Sequence, residues 1–553
     1  MLKQLILPLC TCFLLVFTSF APTACGKKRN KNAKLKVFRY NQAEGLSSLD
    51  PAFSKNQANT WAVTQLYNGL VEFNDSLKVI PALAENWTIS EDQKVYTFFL
   101  RKNIRFHDSE IFSDGKGREV KASDFVYSFK RILDTNTASP GAWIFNDKVL
   151  RNAHGSFSDT CFKAEDDYTF SIYLNKPFPP FLEILCMPFA FVVPEEGIQK
   201  QGKDFRRNPV GTGPFRFRSW DEGNALLFEK NPDYWRKDEK GESLPYIDGV
   251  SVSFIPDINQ TYRNFYAGNL DIFNVTEESV REQIIQSDGN IKKEMTDKFQ
   301  ITKIPYLSTE YIGFQLDNKF YNEPHPLLDK RVRQALSYAI NRDELIDYLR
   351  SDLGQAGHAG MIPPMLMKGH EVNGIKFDIA KAQKLLIEAG YGKGKKLPEM
   401  KFFVNPTYRD LAEFLQKQWS NFGIKVTIEM NAFPTHIEMV DKGIAKIFRS
   451  AWIADYPDPE NFLVLFYSKN FSPAGPNRTH FKNDLFDKLY EQSQREGDEQ
   501  KRYKLYQQMD QIVIDEAPVI ILYYDATLRL SQKNISGLRE NAMDGLRVER
   551  VRM

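Results

Sequence analysis

Apolar residues recur along the chain with two periods, and the period assigns most of its elements. Spacings of three and four predict a helix from Gln57 to Tyr67, with Trp61, Val63, Thr64 and Tyr67 near one face and Asn68-Gly69 as its stop. Lys121-Ala-Ser123-Asp124 opens a second helix, striped by Phe125, Val126, Phe129, Ile132 and Leu133. Asp329 caps a third, whose stripe is Val332, Ala335, Leu336, Ala339 and Ile340. Asp378 caps a fourth, with Ala382, Leu385, Leu386 and Ala389 inward and Gly390 at its end. Runs of β-formers predict strands at Leu35 to Arg39, Val95 to Leu100, Lys401 to Asn405, Ile424 to Glu429 and, around Pro518, Asp515 to Tyr524. A helix from Asp410 to Phe422 lies between two of these, which is a β-α-β signature. The mixture predicts α/β lobes with mixed sheets, and no internal repeat is present.

One strand ends in chemistry. From Ile447 the chain runs Ile-Phe-Arg449-Ser450-Ala451-Trp452-Ile-Ala454 without a breaker, then Asp455-Tyr456-Pro457-Asp458-Pro459 stops it. A carboxylate held at such a strand end, beside a large ring, can take a ligand ammonium in a charge-assisted hydrogen bond worth roughly 1.5–3 kcal/mol. Asp before Pro also caps turns, so these residues alone leave two readings of Asp455 and Asp458: ligand anchor or turn cap.

At 553 residues the chain has room for two or three domains, and 42% hydrophobic with 26% charged residues fits an ordinary globular protein. With 42 Phe and 24 Tyr it can line deep cores and pockets with rings. Its formal charge of +2 becomes −4 once Lys3 and the run Lys27, Lys28, Arg29, Lys31 and Lys34 are set aside. A mildly acidic body argues against nucleic acid as a partner, since that binding is driven by neutralising phosphates. The basic run reads as a solvated tether.

The N-terminus predicts export. Lys3 precedes an uncharged apolar run from Leu5 to Phe20, the length of a secretory segment, and Ala24-Cys25-Gly26 follows. A Cys directly after Ala at that place resembles a bacterial lipobox, with Pro22 where Leu is usual. The expected order is therefore signal peptide 1–24, then lipidated Cys25 and tether 25–34. The folded body retains Cys161 and Cys186, which are one disulfide or two buried thiols; spacing does not choose.

Catalytic and metal signatures are missing. There is no Gly-x-Ser-x-Gly, no His-Glu-x-x-His and no Cys-x-x-Cys in the body, and seven His are scattered. Gly211-Thr212-Gly213 lacks the third Gly of a phosphate loop, and Pro214 removes an amide donor, so a tight turn feeding a strand from Phe215 to Ser219 is expected. An exported hydrolase is thus disfavoured, and neither a cofactor nor a metal is expected.

Seven segments occur in a telling order: Ser48-Leu-Asp-Pro51, Pro81-Ala-Leu-Ala-Glu85 with Tyr96-Thr-Phe-Phe-Leu-Arg101, the Asp124 helix, Gly211-Thr-Gly-Pro-Phe215, Asn231-Pro-Asp-Tyr-Trp235, Arg331-Val-Arg-Gln-Ala335, and Ala517-Pro-Val-Ile520. The chain from about Leu35 to its end resembles the extracytoplasmic solute-binding proteins that serve peptide and nickel ABC importers. The resemblance implies a two-lobed periplasmic-binding-protein-like fold with an extra small domain, a hinge and an interlobe ligand cleft. It places lobe I at 35–70, 189–301 and 521–553, the extra domain at 71–188 and lobe II at 302–520. The match is best to oligopeptide-binding members, which carry Arg, two small residues, Trp, two residues and Asp-Tyr as Arg449 to Tyr456 do. By that resemblance Asp455 grips the peptide ammonium, Trp452 and Tyr456 line the pocket, Ser450, Ala451 and Ala454 pair with the peptide backbone, and Arg449 faces a peptide carboxylate. Lobe I would face the ligand with Ser54 to Gln57; Trp143 and Phe145 are either pocket rings or core. The implied partners are an oligopeptide, a permease with its ATPase subunits, and the membrane through a lipid anchor, with the protein a monomer. A dipeptide, glutathione, nickel chelate or haem are alternative ligands on the same fold.

Overall fold

Two long strands, Phe299–Phe314 and Val519–Gln532, lie antiparallel through the middle of the molecule. The computed structural model describes residues 35–275, 278–286, 289–392 and 394–553. The expected signal peptide, Cys25 and the tether to residue 34 lie outside the described residues.

The pair is interrupted once in a way that matters. Pro305 faces Ala526 and Thr309 faces Tyr524, so Tyr306, Leu307 and Ser308 stand opposite Asp525 alone. Pro305 has no N–H to continue the ladder, and the surplus residues bulge out of the sheet. The bulge is stitched elsewhere: Leu307 N–H donates to Ala542 O at 2.9 Å, and Leu307 O accepts from Ala454 N–H at 2.8 Å.

On one side of the bulge, Ile272–Val275 joins the sheet beside Val519–Gln532. Phe265, Phe273, Phe299, Leu528 and Leu530 close a small core there. On the other side, Ile447–Ile453 pairs antiparallel with Phe299–Phe314, and Met400–Val404 and Val426–Met430 follow in parallel. Alternation divides the side chains between two cores: Ile312, Trp419, Ile447, Ile520 and Leu522 on one face, Tyr311, Phe448, Phe462, Met509 and Ile521 on the other. The expected lobe divisions at 301/302 and 520/521 fall inside these unbroken strands.

A second sheet places Val37–Asn41 parallel to Gly249–Ser253, followed by Ala225–Lys230 and Phe215–Asp221. A third, all antiparallel, is ordered Ala84–Ile89, Val95–Leu100, Thr169–Tyr173, Phe162–Ala164. The helix Ala122–Leu133 covers it with Phe125 and Phe129, whose rings meet those of Phe145, Phe162 and Phe170 at centroid distances of 4.8–5.7 Å. The second and third sheets share one continuous core, which the C-terminal residues Leu546, Val548 and Val551 also enter.

Several expectations need correcting. Asp515 and Glu516 end the helix Glu499–Glu516, Ala517 turns the chain at φ +47°, and the strand begins only at Val519. Leu385 and Leu386 are half-buried, leaving Ala382 as the buried position of its helix. Cys161 and Cys186 form no disulfide; both are buried thiols, pushed up in pKa by that burial. Cys186 instead donates to Leu182 O at 3.5 Å. The segment at Gly211 and Gly213 does feed a strand at Phe215, as expected, and its glycines also allow a close backbone approach: a Cβ on Gly213 would lie 2.4 Å from the Leu66 carbonyl carbon.

One buried acid gives the fold a pH signature. Asp510, 1% exposed, accepts the Met361 N–H through Oδ1 at 2.8 Å while Oδ2 has no partner, and burial raises its carboxyl to about 7. Between the ordinary carboxylate value and about 7 the folded state keeps a proton that the unfolded chain releases, so this group's contribution is present at low pH and lost as pH rises to about 7. Thermal unfolding of Asp510→Asn against the parent should show a Tm difference that moves in the variant's favour between pH 4.5 and 8. A pH-independent difference would show that Asp510 does not titrate in this range.

Candidate functional site

The strand Ile447–Ile453 loses a neighbour halfway along. Ile447 and Phe448 pair with Phe402 and Phe403 on one side and the long strand on the other; from Arg449 onward only the long strand remains beside it. His436 Nε2 lies 2.9 Å from Arg449 O, and beyond that point the outer edge carries no strand among the described residues. Such an edge offers backbone groups to an extended guest.

The loop after this strand is fixed by one residue. Asn461 is buried, and its Oδ1 accepts from Trp452 Nε1 at 2.9 Å and from the Asp455 N–H at 3.1 Å. A single amide thus sets both the ring and the carboxylate-bearing backbone. Asp458 is the turn cap: its Oδ1 accepts the Glu460 N–H at 2.8 Å. Asp455 does not cap, since its own N–H is the group being held. Tyr456 is buried and donates its hydroxyl to Glu460, as does Tyr490.

Asp455 is exposed and borders two recesses, while dense protein on the carboxyl's other side raises its pKa by desolvation, a rise that contact with Asn461 partly offsets. Among the described residues no Lys, Arg or His pairs with it. A carboxylate so placed is short of a cation.

Two cavities meet at this group. The larger, about 570 Å³, is walled by Trp452, Asp455, Tyr456, Lys148 and Phe178, among others. The smaller, about 340 Å³, is walled by Ile453, Ala454 and Asp455 on one side and by Ser54, Lys55, Asn56 and Gln57 on the other. Asp455 and Trp143 border both. No cluster of three His, Cys, Asp or Glu side chains able to hold a metal exists among the described residues, and no described helix is long and apolar enough to cross a membrane.

Comparison with known proteins decides the family. Residues 78–473 match the family model for bacterial extracellular solute-binding proteins, family 5, middle region. The chain belongs to that family. It is 29% identical over 490 residues to the dipeptide-binding protein of Escherichia coli K12, covering 85% of this chain and 86% of the relative. HbpA2 from Haemophilus parasuis superposes with a TM-score of 0.79 at 27% identity, over 94% of this chain and 99% of that one. The ABC transporter-associated periplasmic binding protein DppA from Helicobacter pylori, solved in complex with the peptide STSA, gives 0.72 at 26% identity, over 94% and 98%.

The solute-binding fold is two-lobed, and within it the expected site residues separate. Trp452, Asp455 and Tyr456 border the larger cavity, and Ala454 and Asp455 the smaller. Ser450 is buried and Ala451 half-buried; both lie on the open-edged strand and border neither cavity. Trp143 is brought to the site, whereas Phe145 is core, its ring centre 4.8 Å from that of Phe129. Asn461 escaped the sequence reading because a buried Asn after two prolines carries no pattern.

Arg449 is placed away from both cavities. Alternation turns it to the face opposite Trp452, where it forms a two-pronged ion pair with Glu310, including Nη2 to Oε2 at 2.6 Å, and lies 3.3 Å from the Tyr408 ring centre. Its expected partner, a ligand carboxylate, is replaced by a carboxylate of the protein. Arg449→Met strands Glu310 in the core, at a cost of about 3–5 kcal/mol. Thermal unfolding beside ligand titration should show a Tm loss of several degrees with affinity held within about threefold. A stable variant that has lost its ligand would return Arg449 to the site.

Proposed function

We propose that the protein captures short peptides in the cleft between its lobes, with Asp455 holding the peptide ammonium, and hands them to an ABC importer. The observation that carries this reading is the Asp455 carboxylate, without an ion-pair partner among the described residues and set at the junction of two cavities, next to a strand edge that pairs with no further strand there. An ammonium offsets the desolvation of that carboxylate and returns its pKa towards the ordinary range. An extended peptide leaving Asp455 along Ile453 and Ala454 would enter the smaller cavity, where the Ser54 to Gln57 segment faces it. Backbone pairing there satisfies amides without reading side chains, so selectivity falls on the charged ends and on pockets. The dipeptide-binding and peptide-complexed relatives support the same ligand class. The role is binding and delivery, without a chemical step.

In this reading 35–70, 189–301 and 521–553 form lobe I, 71–188 the extra domain and 302–520 lobe II. Cleft closure swings the lobes about the bulged pair of long strands. Cys25 carries a lipid that holds a monomer at the outer face of the bacterial membrane, so Cys25→Ser should release the protein from washed membranes; a variant that stays bound would refute the anchor.

Calorimetry with a free and an N-acetylated tripeptide tests the ammonium anchor. Acetylation, or Asp455→Ala, should each lower affinity at least about a hundredfold, some 2.7 kcal/mol, while the unliganded variant keeps the parent's Tm. Equal affinities for the two tripeptides would remove Asp455 from this role. Mass spectrometry of ligands released by denaturing the purified protein should return peptides, and a uniform non-peptide guest would replace the reading.

A further inference from the structure

The charges of the larger cavity do not cancel by pairing among themselves. Glu491 is taken by Lys469 at 2.6 Å and by the Tyr467 hydroxyl at 2.7 Å, and Glu460 by two tyrosine hydroxyls. Three cations on the wall, Lys148, Lys176 and Arg495, have no carboxylate within ion-pair distance among the described residues. The uncommitted acids are Asp455 and the exposed Asp147. Once Asp455 holds an ammonium, positive charge is in excess.

Lys148 is the best placed of the three. It is half-buried, its Nζ lies 5.0 Å from the Phe178 ring centre and 5.6 Å from that of Trp143, and it donates to Trp143 O at 3.2 Å. Three donors with a single acceptor leave it able to bond a guest. Burial lowers its pKa, and the Glu460 charge only partly offsets this, so a carboxylate reaching it would find a cation paid for in desolvation.

Position supplies the rest. If the peptide main chain leaves Asp455 through the smaller cavity, the larger one lies beyond the ammonium, where the side chain of the first residue points. We propose that Lys148 makes the larger cavity a pocket for an acidic side chain on the first residue of the bound peptide, with Lys176 and Arg495 adding to the field. This inference rests on the peptide reading.

Calorimetry with Glu-Ala-Ala, Gln-Ala-Ala, Lys-Ala-Ala and Ala-Glu-Ala tests it on the parent protein. Glu-Ala-Ala should bind about tenfold more tightly than Gln-Ala-Ala, and Lys-Ala-Ala more weakly than either. In Lys148→Met the Glu-to-Gln preference should fall to about one while Gln-Ala-Ala affinity stays within about threefold, and Lys148→Arg should retain it. The parent's own preference serves as the test if a variant misfolds. Equal affinity for Glu-Ala-Ala and Gln-Ala-Ala, or a preference unchanged in Lys148→Met, overturns the pocket assignment alone. Tighter binding of Ala-Glu-Ala than of Glu-Ala-Ala overturns its placement at the first residue. Failure of all four peptides overturns the peptide reading itself.

Discussion

A carboxylate without an ion-pair partner, set where two recesses meet, is the constraint around which the proposed ligand site is built. Desolvation on its protein side raises the Asp455 pKa, and in the proposed reading an arriving ammonium offsets that desolvation. An anchor of this kind serves only if it cannot relax away. Asn461 prevents this by fixing the Asp455 backbone and the neighbouring Trp452 ring through one amide oxygen, and Leu307 holds Ala454 from the opposite side. The anchor is therefore preorganised, and the ordering entropy is spent during folding and not during binding.

The same contacts tie recognition to the backbone feature that divides the sheet. Leu307 belongs to the bulge that Pro305 forces into the long antiparallel pair, and it bonds both Ala454 in the site loop and Ala542 in the C-terminal segment. That segment in turn accepts from Trp61 and Gln65, so the small cavity's two walls are linked through the bulge. A displacement of one lobe against the other would bend the strands where their ladder is already broken. Site loop and bulge are joined directly by the Ala454–Leu307 hydrogen bond, so in the proposed reading a bound guest can bias the arrangement of the lobes without a separate relay.

How much of this was readable in sequence depends on the range of the determining contact. Helices such as Gln57–Leu66 and Lys330–Tyr338 were legible because their caps and stripes lie within a dozen residues. The strand and turn carrying Trp452 and Asp455 were legible for the same reason. Arg449 was misplaced because its partner, Glu310, is 139 residues away, and because a charged residue beside a site was weighed by chemistry while strict alternation, which turns it to the other face, was not. The thiols were undecidable for want of a distance. Asp515 and Glu516 were assigned to a strand because the apolar run after Pro518 hides a helix that ends in a left-handed Ala517.

Arg449 and Lys148 together illustrate what separates a structural charge from one proposed to recognise a ligand. Both are cations near the same strand end, and burial disfavours the charged form of each. Arg449 is repaid within the protein by Glu310 and the Tyr408 face, so nothing remains for a guest. Lys148 has no carboxylate within ion-pair distance among the described residues: one backbone carbonyl and two ring faces hold it in place, and the Glu460 charge offsets its burial only in part. Asp455 stands in the same condition with opposite sign. Charge type and proximity to the cleft do not distinguish these residues; the presence or absence of an internal counter-charge does, and only groups of the second kind can draw binding energy from a ligand.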